Sequence, residues 1–482
     1  MSSTIESEIL SKKLEKLDKI REKNIYPFGK KYDKKHNIGD IEKEELEVKT
    51  AGRIMSYRRQ GKASFGHIED LSGKVQYYVK EEEVGTENYD IYKLLGIGDI
   101  VGIEGTTFFT HTGELTIRVK KFELLCKNIR PLPEKYHGLQ DVELRYRQRY
   151  VDLIMNKEVR ETFKKRSKII SYIRNYLESK DFLEVETPMM HPIPGGALAK
   201  PFVTHHEALD IELYLKIAPE LYLKRLVVGG YEKIFEIGRN FRNEGISTRH
   251  NPEFTSIEIY WAYTDYKDMM ELTEDLISSL AKEICQTEVV EYEGIKLDFS
   301  RPWKRISYLE AIKEFTGYSV ENISKEEAMK IAKELKIEFN AKGSLQSIIT
   351  ALFEEKVEKN LIQPTFIYGF PKEASPLAKS NPENPEMADR FELFVFGREL
   401  ANSYSELNDP MEQRANFVTQ LENRELGDEE SHRMDEDFIQ ALEYGMPPTS
   451  GLGIGIDRLI MILTNSPSIR DVIFFPQMKP KK

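Results

Sequence analysis

What this chain lacks narrows its reading first. Its 482 residues include only two cysteines, Cys126 and Cys285, far apart and without a Cys-x-x-Cys spacing. That excludes a disulfide framework and a zinc site, and both side chains read as buried thiols. No stretch approaches the roughly 18 to 20 apolar residues that a membrane helix needs. Met1 to Lys23 alternates charge with single aliphatics and has no apolar core, so it does not read as a secretory signal. A cytoplasmic protein with no membrane partner is expected. There is no internal repeat, no low-complexity tract and no G-x-x-x-x-G-K-[ST] phosphate loop. Gly451, Gly453 and Gly455 superficially suggest a dinucleotide fingerprint. The third glycine follows two residues on instead of three, no acidic residue closes a βαβ unit about 20 positions later, and the motif sits at the end of the chain. His205 and His206 are adjacent, point opposite ways on a strand and make poor joint metal ligands, so they read as structural.

What is present is a globular composition, 40% hydrophobic and 31% charged, far from the signature of disorder. The length exceeds what one hydrophobic core usually organises, so two or more domains are expected. The net charge of −11 argues against a nucleic-acid partner only if the charge is evenly spread. It is not: residues 1–36 hold ten Lys or Arg against six Asp or Glu, with Leu10, Leu14 and Leu17 at helical spacing. An amphipathic helix with a basic outer face follows, either simply solvated or in contact with RNA.

The organisation reads in four parts. Residues 1–46 form the helix and a basic linker with Pro27 and Gly29. Residues 47–127 carry five short alternating runs with turns at Ser72-Gly73 and Thr112-Gly113, which suits an OB-type barrel. Residues 128–150, with two prolines and little periodicity, read as a linker. Residues 151–482 are a larger mixed domain, giving an α+β class overall. There Val159, Phe163, Ile170, Ile173 and Leu177 make a helix stripe, and Phe182 to Pro188 reads as a strand ended by proline. A mostly helical stretch at about 266–361 looks like an insertion.

Three stretches carry chemistry. In FEIGRNFRNEGISTRHNPEFTSIEIYWAY, Phe235 to Tyr263, two alternating strands flank a charged loop, Asn243 to Pro252. Period-two geometry puts Phe254, Ser256, Glu258 and Tyr260 on one face and Ile257 with Ile259 on the other. Arg242 and Glu244 share a face of the first strand if that strand runs so far. An aromatic plate, carboxylates and an arginine are a costly set to leave without a ligand. Arg242 supplies a planar cation for phosphoryl oxygens, Phe254 a π-surface, and Arg249 with His250 could reach phosphates from the loop tip. In PPTSGLGIGIDRLIMILTN, Pro447 to Asn465, the glycines let a ligand lie against the strand, and Arg458 opens the next helix. In RFELFVFGRELANSYSELND, Arg390 to Asp409, Glu392 and Glu399 are candidate ligands for a hard cation beside a triphosphate. Glu399 is out of phase with Asn402, Tyr404 and Glu406, so a bulge or bend is predicted near Leu400 or Ala401.

These stretches, with FLEVETPMM ahead of them, resemble motifs 1, 2 and 3 of the class II aminoacyl-tRNA synthetases in their family order. GGALAKPF at Gly195, IAPELYLKRLVVGG at Ile217, RNEG at Arg242, RHNPEFT at Arg249 and GLGIGIDR at Gly451 are most similar to the lysyl-tRNA synthetase branch. The resemblance covers nearly the whole chain. It implies an N-terminal OB-fold β-barrel followed by a class II catalytic domain with an antiparallel sheet flanked by helices, a homodimer with motif 1 at its interface, and bound Mg²⁺. Residue by residue it implies Arg242 on the α-phosphate, Phe254 and Arg458 on the two adenine faces, and Asn243, Glu244, His250, Asn251, Glu392 and Gly455 in the ATP site. Arg242 and Arg458 are the implied catalytic residues. Glu392 and Glu399 would hold magnesium. Gly196 and Glu220 would meet the α-amino end of lysine, and Glu258, Tyr260, Asn402, Tyr404 and Glu406 its side chain. A buried ammonium needs carboxylate partners, and an acid-lined pocket repels aspartate. No arginine stands on that strand face to greet an aspartate side chain. In the barrel, GKASFGHIEDLSGKVQYYV resembles the family's anticodon-binding strands, with Phe65 stacking a base and Arg58, Gln76 and Glu114 offering edge or backbone contacts. Phe65 as barrel core remains an alternative reading.

The resemblance implies activation of L-lysine by ATP, then transfer to the 3′-terminal adenosine of tRNA(Lys). Two alternatives stay open: an aspartyl or asparaginyl relative, which shares the fold and ATP site, and a non-catalytic tRNA-binding paralogue.

Overall fold

In the computed structural model, residues 2–133, 139–425 and 431–480 are described. The chain divides into two units, residues 1–142 with 150–156, and residues 143–149 with 157–482.

In the first unit, alternation closes five strands into a barrel: β1 (Glu47–Gln60), β2 (Ala63–Glu69), β3 (Lys74–Lys80), β4 (Ile100–Phe109) and β5 (Leu115–Cys126). Their order is β1-β2-β3-β5-β4, with β1 bonded to β4 and only the β3/β5 pair parallel. Every second residue faces inward, so Ile54, Ile68, Tyr77, Val79, Ile103 and Ile117 fill the interior. Two short helices, Glu81–Val84 and Thr86–Tyr92, lie between β3 and β4, and the second buries Tyr89 and Tyr92 in that core. The N-terminal helix Ser2–Glu22 buries Leu17 and Ile20, while Leu14 is exposed; its apolar stripe is shorter than the leucine spacing indicates. Part of the linker reading, residues 134–138, lies outside the described residues.

The second unit is built on an eight-stranded sheet. Its strands in chain order are β6 (Leu183–Glu184), β10 (Lys233–Phe241), β11 (Glu253–Ala262), β14 (Lys304–Ser307), β15 (Thr365–Pro371), β16 (Met387–Phe394), β17 (Glu399–Ser405) and β18 (Thr449–Gly455). The intervening numbers belong to a small sheet of β7 (Met190–His191), β8 (Val203–His206) and β9 (Ile211–Leu215), and to a hairpin of β12 (Val289–Tyr292) and β13 (Ile295–Asp298). The large sheet has the order β14-β15-β16-β17-β18-β11-β10-β6 and is antiparallel except at its two edge pairs. The FLEVETP segment keeps only Leu183 and Glu184 in ladder form, so the strand expected to run to Pro188 ends four residues short of it.

One face of the sheet is core. Ile257 and Ile259 of β11, Leu452 and Ile454 of β18, and Phe391 and Leu393 of β16 point to that side and are buried. They pack with the helices Lys157–Glu178, Tyr266–Cys285 and Ile456–Leu463, whose apolar stripes supply Ile173, Leu276, Leu280, Leu459 and Ile460. Full burial of such side chains contributes roughly 1.5–3 kcal/mol each. The stretch 266–361 therefore divides. Its first helix backs the main sheet, whereas Tyr308–Thr316, Lys325–Glu334 and Leu345–Lys356 build a separate core with Ile312, Ala328 and Leu352. Cys126 and Cys285 are free and half-buried rather than fully enclosed, and Cys285 donates to the Leu463 carbonyl at 3.4 Å.

Candidate active site

The face of the large sheet opposite that core floors a cavity of about 390 Å³, within the range of small-molecule sites. Strand register builds its floor in rows. Glu258, Gly453, Asn402 and Glu392 stand opposite one another across β11, β18, β17 and β16. Tyr260, Gly451, Tyr404 and Arg390 form the next row, and Ser256 faces Gly455. The alternation expected of β11 holds, with Phe254, Ser256, Glu258 and Tyr260 on the cavity side and Ile257 and Ile259 beneath. The irregularity expected near Leu400 is present. Leu393 pairs with Ala401 but Phe394 with Glu399, so Leu400 is the extra residue of a bulge. It buries Leu400 and turns Glu399 to the cavity alongside Asn402.

Most of the candidate residues converge. Gly196, Glu220, Arg242, Glu244, His250, Asn251, Phe254, Glu258, Tyr260, Glu392, Glu399, Asn402, Tyr404, Gly455 and Arg458 all line the cavity, and so does Arg249. Two do not. Asn243 is exposed, because β10 stops at Phe241 and the chain turns where the Arg242 N–H meets the Pro252 carbonyl. The shared strand face expected of Arg242 and Glu244 is replaced by this turn, which still delivers both to the cavity. Glu406 lies just past β17, below the lining, where its carboxylate fills the space that a Cβ on Gly451 would take. Gly451 is thus bare to admit Glu406 and the Tyr260 ring, not a ligand. Gly196 has φ +84°, and a Cβ there would meet the Glu220 Cβ at 2.9 Å.

The two ends of the cavity differ in charge. At one, Glu220 and Glu406 are fully buried and Glu258 stands on the floor, its Oε2 accepting from the Tyr260 hydroxyl at 3.2 Å. Burial, with Glu220 adding, pushes the Glu258 carboxyl up to about 8. Burial likewise holds the Tyr260 and Tyr404 phenols neutral. At the other end, the Arg242 guanidinium lies 5.1 Å over the Phe254 ring and its Nε is buried without a partner. Arg458 donates to the Glu399 carbonyl at 2.6 Å. Burial and the nearby Arg458 lower His250, keeping its imidazole neutral. Asn251 is engaged on both sides of its amide, by the Glu253 carbonyl and the Gln477 N–H.

Three lining or supporting residues escape the sequence reading. Arg390 donates to Asn402 Oδ1 at 3.1 Å, pairs with Glu392 and lies 5.7 Å from the Tyr404 ring, so an arginine does border this wall, already neutralised. His432 is buried in the lining with Nδ1 unpartnered, lowered to about 4 by burial and by Lys224. Lys224 ion-pairs with Glu220 at 2.6 Å and with Glu406 at 2.5 Å. Of these, only Lys224 carried a signal, four residues after Glu220 on one helix face.

The carboxylates fit a divalent cation of the open kind. Burial pushes Glu392 up to about 7 against the pull of Arg390, and Glu399 and Glu358 add to the push, a charge excess that a cation relieves. Among the described residues no cluster of three or more His, Cys, Asp or Glu could enclose a metal alone, so phosphate oxygens and water would complete the shell.

On the barrel's outer face, Phe65 is half-buried, not core, with its ring 4.7 Å from that of Tyr78. Arg58 stands opposite it on β1. Glu114 accepts from the Gln76 amide at 2.7 Å and bonds His67 Nε2 at 2.8 Å, and His67 Nδ1 in turn meets Ser56 Oγ at 2.6 Å. Arg58, Phe65, Gln76 and Glu114 thus lie on neighbouring strands and one adjoining turn.

An antiparallel sheet that displays an arginine, an aromatic plate and paired carboxylates, in a chain that also carries an OB-type barrel, defines an enzyme that joins an amino acid to a nucleotide. Residues 141–479 match the family of class II tRNA synthetases (D, K and N), and residues 48–125 match the OB-fold nucleic acid binding domain. The chain belongs to this family of class II tRNA synthetases, and to its lysyl branch. It is 57% identical over 481 residues to the lysine–tRNA ligase of Syntrophomonas wolfei, covering 98% of each chain. It is 56% identical over 481 residues to that of Carboxydothermus hydrogenoformans, covering 98% of this chain and 99% of the relative. With that of Bacillus subtilis the identity is 54% over 480 residues, covering 97% and 96%.

Proposed function

We propose that this chain is a lysine–tRNA ligase, which joins L-lysine to ATP as lysyl-adenylate, with loss of pyrophosphate, and then passes lysine to the 3′-terminal adenosine of tRNA(Lys). The observation that carries the reading is the set of three carboxylates, Glu220, Glu258 and Glu406, gathered at one end of a cavity whose other end holds Arg242 and Phe254. Two ammonium groups on one small molecule match that set, and an aspartate side chain would meet like charge.

In the first step the lysine carboxylate attacks the α-phosphorus and pyrophosphate departs. Arg242 stabilises the charge that grows on the phosphoryl oxygens, with its free Nε as one donor. Phe254 and Arg458 hold the adenine between them, with Glu244, His250, Asn251 and Gly455 around it; Asn243 contributes from outside the lining. Gly196 and Glu220 take the α-amino end, and Tyr260, Asn402 and Tyr404 close on the side chain. Glu392 and Glu399 would hold Mg²⁺, which neutralises triphosphate charge when bound. In the second step the terminal adenosine hydroxyl attacks the adenylate carbonyl and AMP leaves. No protein nucleophile is required, so positioning and fixed charge supply the rate.

On the barrel, Phe65 stacks an anticodon base, and Arg58, Gln76 and Glu114 contact its edge or backbone. A homodimer is supported by the exposed apolar side chains Met189, Met190, Val203, Leu209 and Ile211 in and beside the small β7-β9-β8 sheet. The product feeds translation, which places the enzyme in the cytoplasm.

ATP–pyrophosphate exchange with a panel of amino acids tests the reading. Exchange that depends on lysine is expected; exchange with aspartate but not lysine would overturn it.

A further inference from the structure

Lys224 is a buried cation at the amino-acid end that the proposed reaction does not use. It sits on the helix Glu220–Val228, is completely shielded from solvent, and places its ammonium between Glu220 Oε1 at 2.6 Å and Glu406 Oε2 at 2.5 Å. A buried ammonium is expensive unless paired, and so are the two carboxylates it joins. The arrangement is therefore a fixed triad under the cavity floor. Glu406 Oε1 is buried and has no hydrogen-bond partner of its own.

Charge counting gives the triad a purpose. With lysine bound and Glu258 deprotonated, Glu220, Glu258 and Glu406 present three negative charges at this end of the cavity, and Lys224 returns one. Two remain, the number of ammonium groups that free lysine carries. An amino acid with one ammonium would leave a buried carboxylate unmatched, and a pocket without Lys224 would leave one unmatched even with lysine bound. We propose that Lys224 is a positioning and specificity residue: a resident cation that fixes Glu220 and Glu406 in place and sets the pocket's charge to that of a diamino acid. This rests on lysine being the substrate.

The groups facing Lys224 are Glu220 from its own helix, Glu406 from the end of β17, and His432 from the segment before the helix Glu436–Glu443. Glu258, Tyr260 and Tyr404 complete the surroundings of those carboxylates. Burial pushes both Glu220 and Glu406 up, and Lys224 is the cation that opposes it. His432, held neutral, adds no second cation.

The test is steady-state exchange by Lys224→Met across pH. KM for lysine should rise at least tenfold with KM for ATP unchanged and kcat within a few-fold. The acid limb of kcat/KM for lysine should move up by about one pH unit, since the carboxylates lose the charge that favours their ionised form. A folded variant whose lysine KM and acid limb match the parent would overturn the proposal, as would one whose ATP and lysine constants rise together. Lys224→Met strands two buried carboxylates and can fail to fold, so the same change is also made in Glu406→Gln. There it must still raise lysine KM relative to Glu406→Gln alone, through Glu220 and by less than in the parent; no rise in that background sinks the proposal equally. Lysine-dependent exchange by the parent separates this outcome from failure of the ligase assignment itself.

Discussion

The cavity of the large sheet and the outer face of the barrel are both sheet surfaces read by alternation, yet they are furnished differently. The cavity wall carries Glu220 and Glu258 with Glu406 and Lys224 beneath it, ionisable groups held out of water, and Arg242 over an aromatic ring. The barrel face carries half-buried rings, Phe65 on Tyr78, and a chain of hydrogen bonds through Ser56, His67, Glu114 and Gln76. A small ion is told from its rivals by charge in a low-dielectric recess, where a mismatch is costly. A base is met at the surface by stacking, and hydrogen-bonding edges then choose among bases.

The largest expected effect breaks the cavity alone. Arg242→Ala should lower lysine-dependent exchange by on the order of 10²–10³-fold or more, as loss of a charge-stabilising donor does, while filter binding of tRNA stays near the parent value. Exchange at the parent rate would remove Arg242 from the chemistry. Next, Glu258→Gln should weaken lysine binding by about 2–5 kcal/mol, the usual cost of breaking a buried charge pair, read as a raised lysine KM with ATP affinity intact. Phe65→Ala gives the reciprocal dissection: tRNA affinity falls by about 1–3 kcal/mol with exchange unchanged, and equal affinity would return Phe65 to a packing role.

The smallest effect sharpens the contrast through pH. Glu258 has its carboxyl raised from the ordinary 4.5 to about 8. The folded chain therefore binds more protons there than the unfolded chain does between those values, so this contribution to stability is full below about 4.5 and is lost as pH rises through about 8. Thermal melts should show Glu258→Gln gaining on the parent as pH climbs from 5 to 8.5, and saturating lysine should narrow the gap. A gap that does not change with pH would mean that Glu258 is ionised in the empty site.

Much of this site could be read from the amino-acid order because it is periodic. The faces of β11, β17 and β18 follow from alternation, and the phase conflict between Glu399 and Asn402 by itself requires an irregularity near Leu400 or Ala401, which the structure has at Leu400. The rest depends on register between strands far apart in sequence, which local pattern does not encode. Arg390 borders the cavity because β16 pairs with β17 so that it faces Tyr404. Glu406 lies below the lining because Gly451 of another strand leaves room. Phe241 ends β10 three residues earlier than the Arg242–Glu244 alternation assumes, since the return strand begins at Glu253. Leu14, at helical spacing from Leu10 and Leu17, stays exposed because the covered face of the helix runs through Leu10, Lys13, Leu17 and Ile20 and leaves it to one side.

The hollow above Gly451 also constrains how this enzyme can change over generations. Because the Glu406 carboxylate occupies the volume of the missing methyl, position 451 is locked as glycine for as long as the acid at 406 stays. A lineage that acquires alanine at 451 must shorten or withdraw the acid at 406, and in doing so surrenders part of its hold on lysine. Drift toward a neighbouring amino-acid preference would then begin with a change of size at a bare backbone position, and the change of charge would come second.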